Sequence, residues 1–138
     1  MIDIDVVYEG QLHCNATHRP SAATLATDAP VDNHGRGESF SPTDLVGAAL
    51  GTCMATVMGI YARKQQLPIE GARLNVQKFM TTSPPRRIAK LAVRIDMPES
   101  ARAVPAPARG ELEHIANTCP VRLSVLEAID VPVQFVWP

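Results

Sequence analysis

The sequence predicts an α+β fold with mainly antiparallel strands, in one domain over residues 1–138. Apolar and polar residues alternate as in strands through the first forty residues, and one long apolar helix follows. A hairpin, two short helices and a final strand complete the chain. Strands and helices therefore come in blocks, which favours α+β over a regularly alternating parallel sheet. No internal repeat or low-complexity linker divides the chain.

The N-terminal third is predicted to form three strands. Apolar residues alternate with acids over residues 2–6, a turn follows at Glu9-Gly10, and alternation returns over residues 12–16. A third strand is expected over residues 21–29. The segment 31–39 contains two glycines among polar residues, so it is predicted to be a loop.

A long helix is predicted from Ser41 to about Gln65. Ser41 suits the N-cap, Pro42 the first helical position and Asp44 the first turn. Residues 45–62 carry no charge, which meets the length expected of a membrane helix. That stretch is rich in small residues and no second apolar segment exists, so a helix surrounded by protein is favoured. Glycine or alanine recurs every four residues, at positions 47, 51, 55 and 59, and forms a smooth face for close packing.

The second half is predicted to form a hairpin followed by two helices and a strand. Period-two alternation marks strands over residues 72–76 and 91–97, with a turn at residues 81–85 that includes two prolines. A loop is expected over residues 98–107. Helices are expected over about 108–116 and from Pro120 to about Ala128, and a last strand over residues 131–136.

Composition argues against several classes of function. The net charge is −1 and the longest basic cluster is Arg86-Arg87, so nucleic acid is not expected as a partner. Acids occupy the N-terminus where a signal peptide would be positive, and the three cysteines then indicate a reducing, cytoplasmic location. No cysteines or histidines have the spacing of a metal site, so no metal site is predicted. No organic cofactor is expected either.

Two cysteines are candidates for redox chemistry. Cys53, in the middle of the long helix, is either an apolar packing residue or a thiol that needs a nearby cation to become reactive. Cys119 precedes Pro120 at a helix start, where free N–H groups and the helix dipole favour a thiolate, unless it is an inert cap. Together they could react with an oxidant, one forming a sulfenic acid and the other condensing with it to a disulfide. Cys14 is interpreted as a packed residue, and the isolated histidines (His18, His34 and His114) as surface or capping residues.

The cysteine segments resemble a known family. Residues 41–53, SPTDLVGAALGTC, resemble the first signature of the OsmC/Ohr family of osmotically induced protein C and organic hydroperoxide resistance proteins. Residues 118–121, TCPV, resemble its second signature, and residues 85–88, PRRI, resemble its OsmC-like branch. The resemblance implies an intertwined homodimer in which two sheets wrap the long central helices, with active sites at the subunit interface. It also implies that Cys53 reduces hydroperoxides, preferably organic ones, that Cys119 resolves it, and that a lipoyl or other small dithiol regenerates the pair.

The family resemblance also implies an arginine that activates the attacking thiol and a glutamate ten positions before that thiol to hold the arginine. Thr43 stands at the glutamate position and Asp44 follows it, so Asp44 is the candidate acid. Arg36, in the loop before the helix, is the candidate arginine, although it could instead be a solvated loop residue. Two alternatives stay open on the same fold: a non-catalytic protein that binds a small molecule, and a redox sensor whose disulfide alters a partner interaction.

Overall fold

A computed structural model describes residues 1–138 and confirms an α+β architecture with two three-stranded sheets. In chain order the elements are β1 (Ile4–Gly10), β2 (His13–His18), β3 (Ala23–Asp28), α1 (Pro42–Gln65), β4 (Arg73–Met80), β5 (Ile88–Asp96), α2 (Ala106–Asn117), α3 (Pro120–Ser124) and β6 (Val133–Val136). Short 3-10 helices, Val31–Asn33 and Glu99–Ala103, occupy parts of the two predicted loops. The chain forms two compact units, residues 1–46 and 47–138. The prediction of one domain over the whole chain stays a prediction.

The first unit is an antiparallel meander closed by a tight loop. β1 pairs with β2 and β2 with β3, in the order β1-β2-β3. The loop that follows returns on itself, since the Asp28 amide donates to the Phe40 carbonyl at 3.0 Å. Gly35 lies against the Ala29 backbone, where an added Cβ would stand 1.7 Å from the carbonyl oxygen. Only glycine fits at this position, because the obstacle is main chain that cannot move aside.

Helix α1 starts and ends as the sequence predicts. The Ser41 amide donates to Asp44 Oδ2 at 2.8 Å, and the Asp44 amide donates to Ser41 Oγ at 3.1 Å. This reciprocal pair is a capping box with aspartate in place of the usual glutamate. At the other end Gln66 adopts a left-handed conformation (φ 54°), and the Leu67 amide donates to the Ala62 carbonyl at 2.9 Å. The helix therefore stops just before Pro68.

The second unit buries one face of α1 on a mixed sheet. β4 and β5 form the predicted antiparallel hairpin, and β6 adds to β5 in parallel, so pairing is antiparallel in all but one pair. The predicted face of small residues contacts this sheet, since Cβ atoms on Gly47 and Gly51 would lie 3.5 Å and 3.0 Å from the methyls of Val76. The core of the unit combines α1, β5 and α2 side chains, chiefly Leu50, Met54, Met58, Leu91, Val93, Ile95 and Leu112.

Two predicted boundaries are corrected. The hairpin strands extend to Met80 and from Ile88, closer to the turn than the alternation indicated. The helix expected to reach about Ala128 ends at Ser124, because Val125 is extended (φ −78°, ψ 148°). The chain must turn there so that Asp130 can pair with β5, where its amide donates to the Ala89 carbonyl at 3.0 Å.

One side of α1 has no cover within the chain. The most apolar 18-residue window of the helix has a mean hydropathy of 1.7 and is 33% buried. By length and composition it is the one helix that could cross a membrane, a property that core helices of soluble proteins share. The uncovered face carries Ala49, Thr52, Thr56 and Ile60. The prediction of a helix surrounded by protein on all sides is therefore not met by a single chain.

Candidate active site

Cys53 lies at the edge of the buried face of α1. Its helix neighbours Leu50 and Met54 are fully buried, whereas Cys53 itself is half-buried and unoxidised. The capping box at Ser41 and the contact of the helix glycines with Val76 fix where this helix lies on its own sheet. A thiol at this edge is held by the core yet keeps some contact with solvent.

Cys119 lies at the junction between α2 and α3. Thr118 ends α2, with its hydroxyl donating to the His114 carbonyl at 2.9 Å, and Pro120 begins α3. Between them Cys119 is extended (φ −65°, ψ 151°) and acts as the N-cap, since its sulfur accepts the Arg122 amide at 3.4 Å. Its side chain is 1% exposed. The Cys-Pro sequence thus aims the sulfur inward, because proline fixes the first helical residue and the cap position precedes it.

The structure brings Cys53 and Cys119 together. The Cys53 side chain lies close enough to Cys119 to raise the pKa of the Cys119 thiol, and both cysteines are reduced. A disulfide requires two side chains that point toward each other at short range. The proximity of the two thiols, which the sequence left open, makes them the candidate pair for such a bond.

The pKa of the Cys119 thiol is raised. Burial is the largest cause, and the interaction with the neighbouring Cys53 thiol raises this pKa further. The amides of Arg122 and Val121 donate hydrogen bonds to the sulfur and lower its pKa, but the net pKa is still raised. The expectation that the helix start would make Cys119 a thiolate is therefore wrong in its net effect, because α3 is only five residues long and the sulfur is buried. Cys119 carries its proton at neutral pH.

Arg36 and Asp44 each have a local partner in the first unit. Arg36 Nη1 lies 3.9 Å from Glu38 Oε2, and the residue lines a polar cavity of about 320 Å³ together with Glu9, His13 and Asp28. Asp44 completes the capping box of α1. The catalytic roles expected of these two residues stay predictions. Arg19, which also belongs to the first unit, is paired with Asp5, with Nε 2.5 Å from Oδ2.

Arg122 was not predicted as a site residue from the sequence. This residue lies in α3, three positions after Cys119, and its Nε is buried without a hydrogen-bond partner. The available signal was its place in the Cys-Pro-Val-Arg segment, because an N-cap and the third helical residue lie on the same turn. No group of three or more histidine, cysteine, aspartate or glutamate side chains is placed to hold a metal ion.

Comparison with known proteins adds an independent line of evidence. A family model described as OsmC-like protein matches residues 35–134. Among solved structures, a protein of Psychrobacter arcticus 273-4 named for osmotic stress induction and detoxification response is 36% identical, with a TM-score of 0.90 over 99% of this chain and 96% of that one. An organic hydroperoxide resistance protein of Legionella pneumophila is 14% identical, with a TM-score of 0.76 over 99% and 97% of the two chains. One of Vibrio cholerae is 16% identical, with a TM-score of 0.75 over 98% and 90%. No curated protein matches the chain.

Proposed function

The chain belongs to the OsmC-like protein family, and on that premise we propose that it is a thiol-dependent reductase of organic hydroperoxides in oxidative-stress defence. Cys53 attacks the peroxide and Cys119 resolves the product to a disulfide. The observation that carries this proposal is the neighbouring pair of reduced thiols, one half-buried and the other fully buried. Two similar structures are organic hydroperoxide resistance proteins, and a molecule of captopril occupies one of the active sites of the one from Vibrio cholerae.

The chemistry needs only the two thiols, a hydroperoxide and a reductant. The Cys53 thiolate attacks the terminal peroxide oxygen, the O–O bond breaks, and the alkoxide leaves as an alcohol after it takes a proton. Cys53 is then a sulfenic acid. Cys119 attacks that sulfur, its S–H proton leaves with the hydroxyl group as water, and the S–S bond forms. A small dithiol of the lipoyl type returns the disulfide to two thiols and becomes a disulfide itself.

The surroundings of the two sulfurs decide which of them attacks. A peroxide must reach the attacking sulfur, and Cys53 keeps accessible surface whereas Cys119 is 1% exposed. The raised pKa keeps Cys119 protonated at neutral pH, so it is the poorer first nucleophile. That same proton serves the second step, because the leaving hydroxyl group needs it to depart as water. Burial thus suits Cys119 for the resolving role.

The function is tested by mass spectrometry of the reduced protein after one equivalent of cumene hydroperoxide. The expected product is a Cys53–Cys119 disulfide formed much faster than a free thiol reacts. Cys119→Ser is expected to accumulate sulfenic acid at Cys53, and Cys53→Ser to stay reduced. Cys14→Ser is the matched control and should behave as wild type. If Cys53 reacts no faster than a free thiol, the peroxidase proposal fails and a non-catalytic binding protein or redox sensor replaces it.

We place this enzyme in the cytoplasm as a homodimer. The support for a dimer is the uncovered face of α1, on which Thr52 and Thr56 turn their hydroxyls to the helix carbonyls of Ala48 and Thr52 at 2.7 Å and 2.8 Å. Satisfied in this way, the hydroxyls leave a smooth, largely apolar surface that suits a second α1. In the first unit, β1 also exposes large apolar side chains, namely Ile4, Val6, Val7 and Tyr8.

The homodimer is tested by sedimentation of two variants. Thr56→Glu places a charge at the centre of the uncovered face, whereas Gln65→Glu places the same charge at the exposed end of the helix. We expect wild type and Gln65→Glu to sediment as dimers and Thr56→Glu to shift toward monomers. Equal behaviour of the two variants would contradict the use of this face.

A further inference from the structure

One side-chain nitrogen of Arg122, Nε, is buried without a hydrogen-bond partner. Its Nε has no accessible surface and no hydrogen-bond acceptor, and no ion pair includes its guanidinium. The residue as a whole is half-buried, so part of it can be reached from outside. Arg19, Arg94 and Arg102, by contrast, each hold a carboxylate. Arg122 thus differs from these three arginines, because its buried Nε has no acceptor.

Such an arrangement is costly unless something else supplies the acceptor. A buried donor without a partner destabilises the folded state, and more so when the group is charged. Folded proteins satisfy nearly all of these atoms, and an exception points to a bound water, ion or ligand. An arginine used only for packing could be replaced by an apolar residue without this penalty. The unpaired guanidinium therefore indicates a ligand that carries negative charge.

The position of Arg122 connects that ligand to the two cysteines. Its amide donates to Cys119 Sγ at 3.4 Å, and the Cys119 thiol in turn lies beside Cys53. The cation is thus held on the same helical turn as the resolving sulfur. Leu123 and Leu126, one and four residues further along the chain, are 71% and 68% exposed, so this segment also presents apolar side chains to the outside.

We infer that Arg122 binds the carboxylate of a small amphiphilic molecule that reacts at the Cys53–Cys119 pair. A guanidinium offers a planar fork of donors that matches a carboxylate, and the exposed leucines offer contact for the apolar part of the same molecule. This inference rests on the proposed function, because the reacting molecule is either the hydroperoxide or the dithiol reductant. Both can carry a carboxylate, and the chemistry of recognition is the same for each.

Matched pairs of reactants show whether the bound carboxylate belongs to the hydroperoxide or to the dithiol reductant. The hydroperoxide arm compares cumene hydroperoxide with its para-carboxylate derivative. The dithiol arm compares dihydrolipoamide with dihydrolipoate, which differ in an amide against a carboxylate. A hydrogen bond to a charged group is worth about 1.5–3 kcal/mol, which corresponds to a preference of roughly 10-fold or more in kcat/KM.

The expected result is a preference for the carboxylate in one arm, which identifies the molecule that Arg122 binds. Arg122→Gln should reduce that ratio to about one, and Arg122→Lys, which keeps the charge, should retain part of it. A preference in neither arm, or one that survives in Arg122→Gln, overturns the inference. Far-UV circular dichroism shows whether each variant is folded. If Arg122→Gln does not fold, the comparison between Arg122→Lys and wild type provides the test.

A binding measurement keeps this inference separate from the proposed function. Neutral cumene hydroperoxide has no carboxylate, so it tests turnover alone. If it fails to react, the proposed peroxidase activity is refuted, and calorimetry then tests carboxylate binding at Arg122 separately. For calorimetry we use cumyl alcohol and its para-carboxylate derivative, neither of which contains a peroxide bond. Tighter binding of the carboxylate that is lost in Arg122→Gln supports the site. Equal binding of the two alcohols, or a Gln variant that only weakens dimerisation, contradicts it.

Discussion

The contact between α1 and its sheet makes a sharp prediction for three glycine-to-alanine substitutions. An alanine in a helix interior is more stable than glycine by about 0.5–1 kcal/mol. At Gly59 nothing lies within 4 Å of the added Cβ, so Gly59→Ala should show that gain alone within the chain. At Gly47 the Cβ would lie 3.5 Å from Val76 Cγ1 and 3.7 Å from Leu91 Cδ2, which are ordinary contacts. Gly47→Ala should therefore stabilise the protein by the helical gain plus a buried methyl, together about 1–2 kcal/mol.

Gly51 should behave differently although it lies one turn away and faces the same valine. Its Cβ would stand 3.0 Å from Val76 Cγ2, so the valine must move by a few tenths of an ångström. Overpacking costs about 1–3 kcal/mol, which cancels or exceeds the helical gain. We expect Gly51→Ala to be neutral or destabilising, and less stable than Gly47→Ala by about 1–2 kcal/mol.

The assay is urea unfolding followed by far-UV circular dichroism at one fixed protein concentration, since association makes the midpoint depend on concentration. Val76→Ala provides the double-mutant cycle. It should cost less in the Gly51→Ala background than in wild type, because it removes the crowded methyl, and it should cost at least as much in the Gly47→Ala background. Equal stabilities for Gly47→Ala and Gly51→Ala, with no coupling to Val76, would refute the packing described for α1.

Three further outcomes follow from the structure. Ser41→Ala removes the acceptor of the Asp44 amide and should lower the free energy of unfolding by about 1–2 kcal/mol in urea; a change near zero would mean that the capping box is dispensable. Trp137→Phe loses the indole hydrogen bond to Glu113 (2.8 Å) and should cost about 1 kcal/mol, with Glu113→Gln, which keeps an acceptor, as the milder control. The folded state holds the Cys119 proton more tightly than the unfolded state, so this contribution to stability is complete below the ordinary thiol pKa of about 8.5 and is lost as the pH rises through the raised pKa. Unfolding at a series of alkaline pH values should show this loss in wild type and not in Cys119→Ala, and parallel curves would contradict it.

Local sequence patterns were sufficient for most of the secondary structure. Ser41, Pro42 and Asp44 predicted the start of α1, because capping depends on residues within one turn of each other. Alternation predicted the β4–β5 hairpin, although the strands run closer to the turn than the alternation showed. The end of α3 at Ser124 was missed, because it depends on the pairing of Asp130 with a strand about forty residues earlier. No local pattern contains that contact.

The candidate site likewise has features that local sequence patterns predict and features that depend on long-range contacts. The residues around Cys53 and Cys119 form contiguous signatures, so sequence reasoning could identify the two reactive residue types, their helix contexts and the family. The folded structure was needed to show that these two thiols are neighbours, that burial raises the pKa of Cys119, and that the Nε of Arg122 has no hydrogen-bond partner. Proximity, desolvation and unsatisfied donors depend on groups far apart in the chain, which no local pattern contains. A cysteine becomes an attacking or a resolving thiol through the neighbours that folding brings to it.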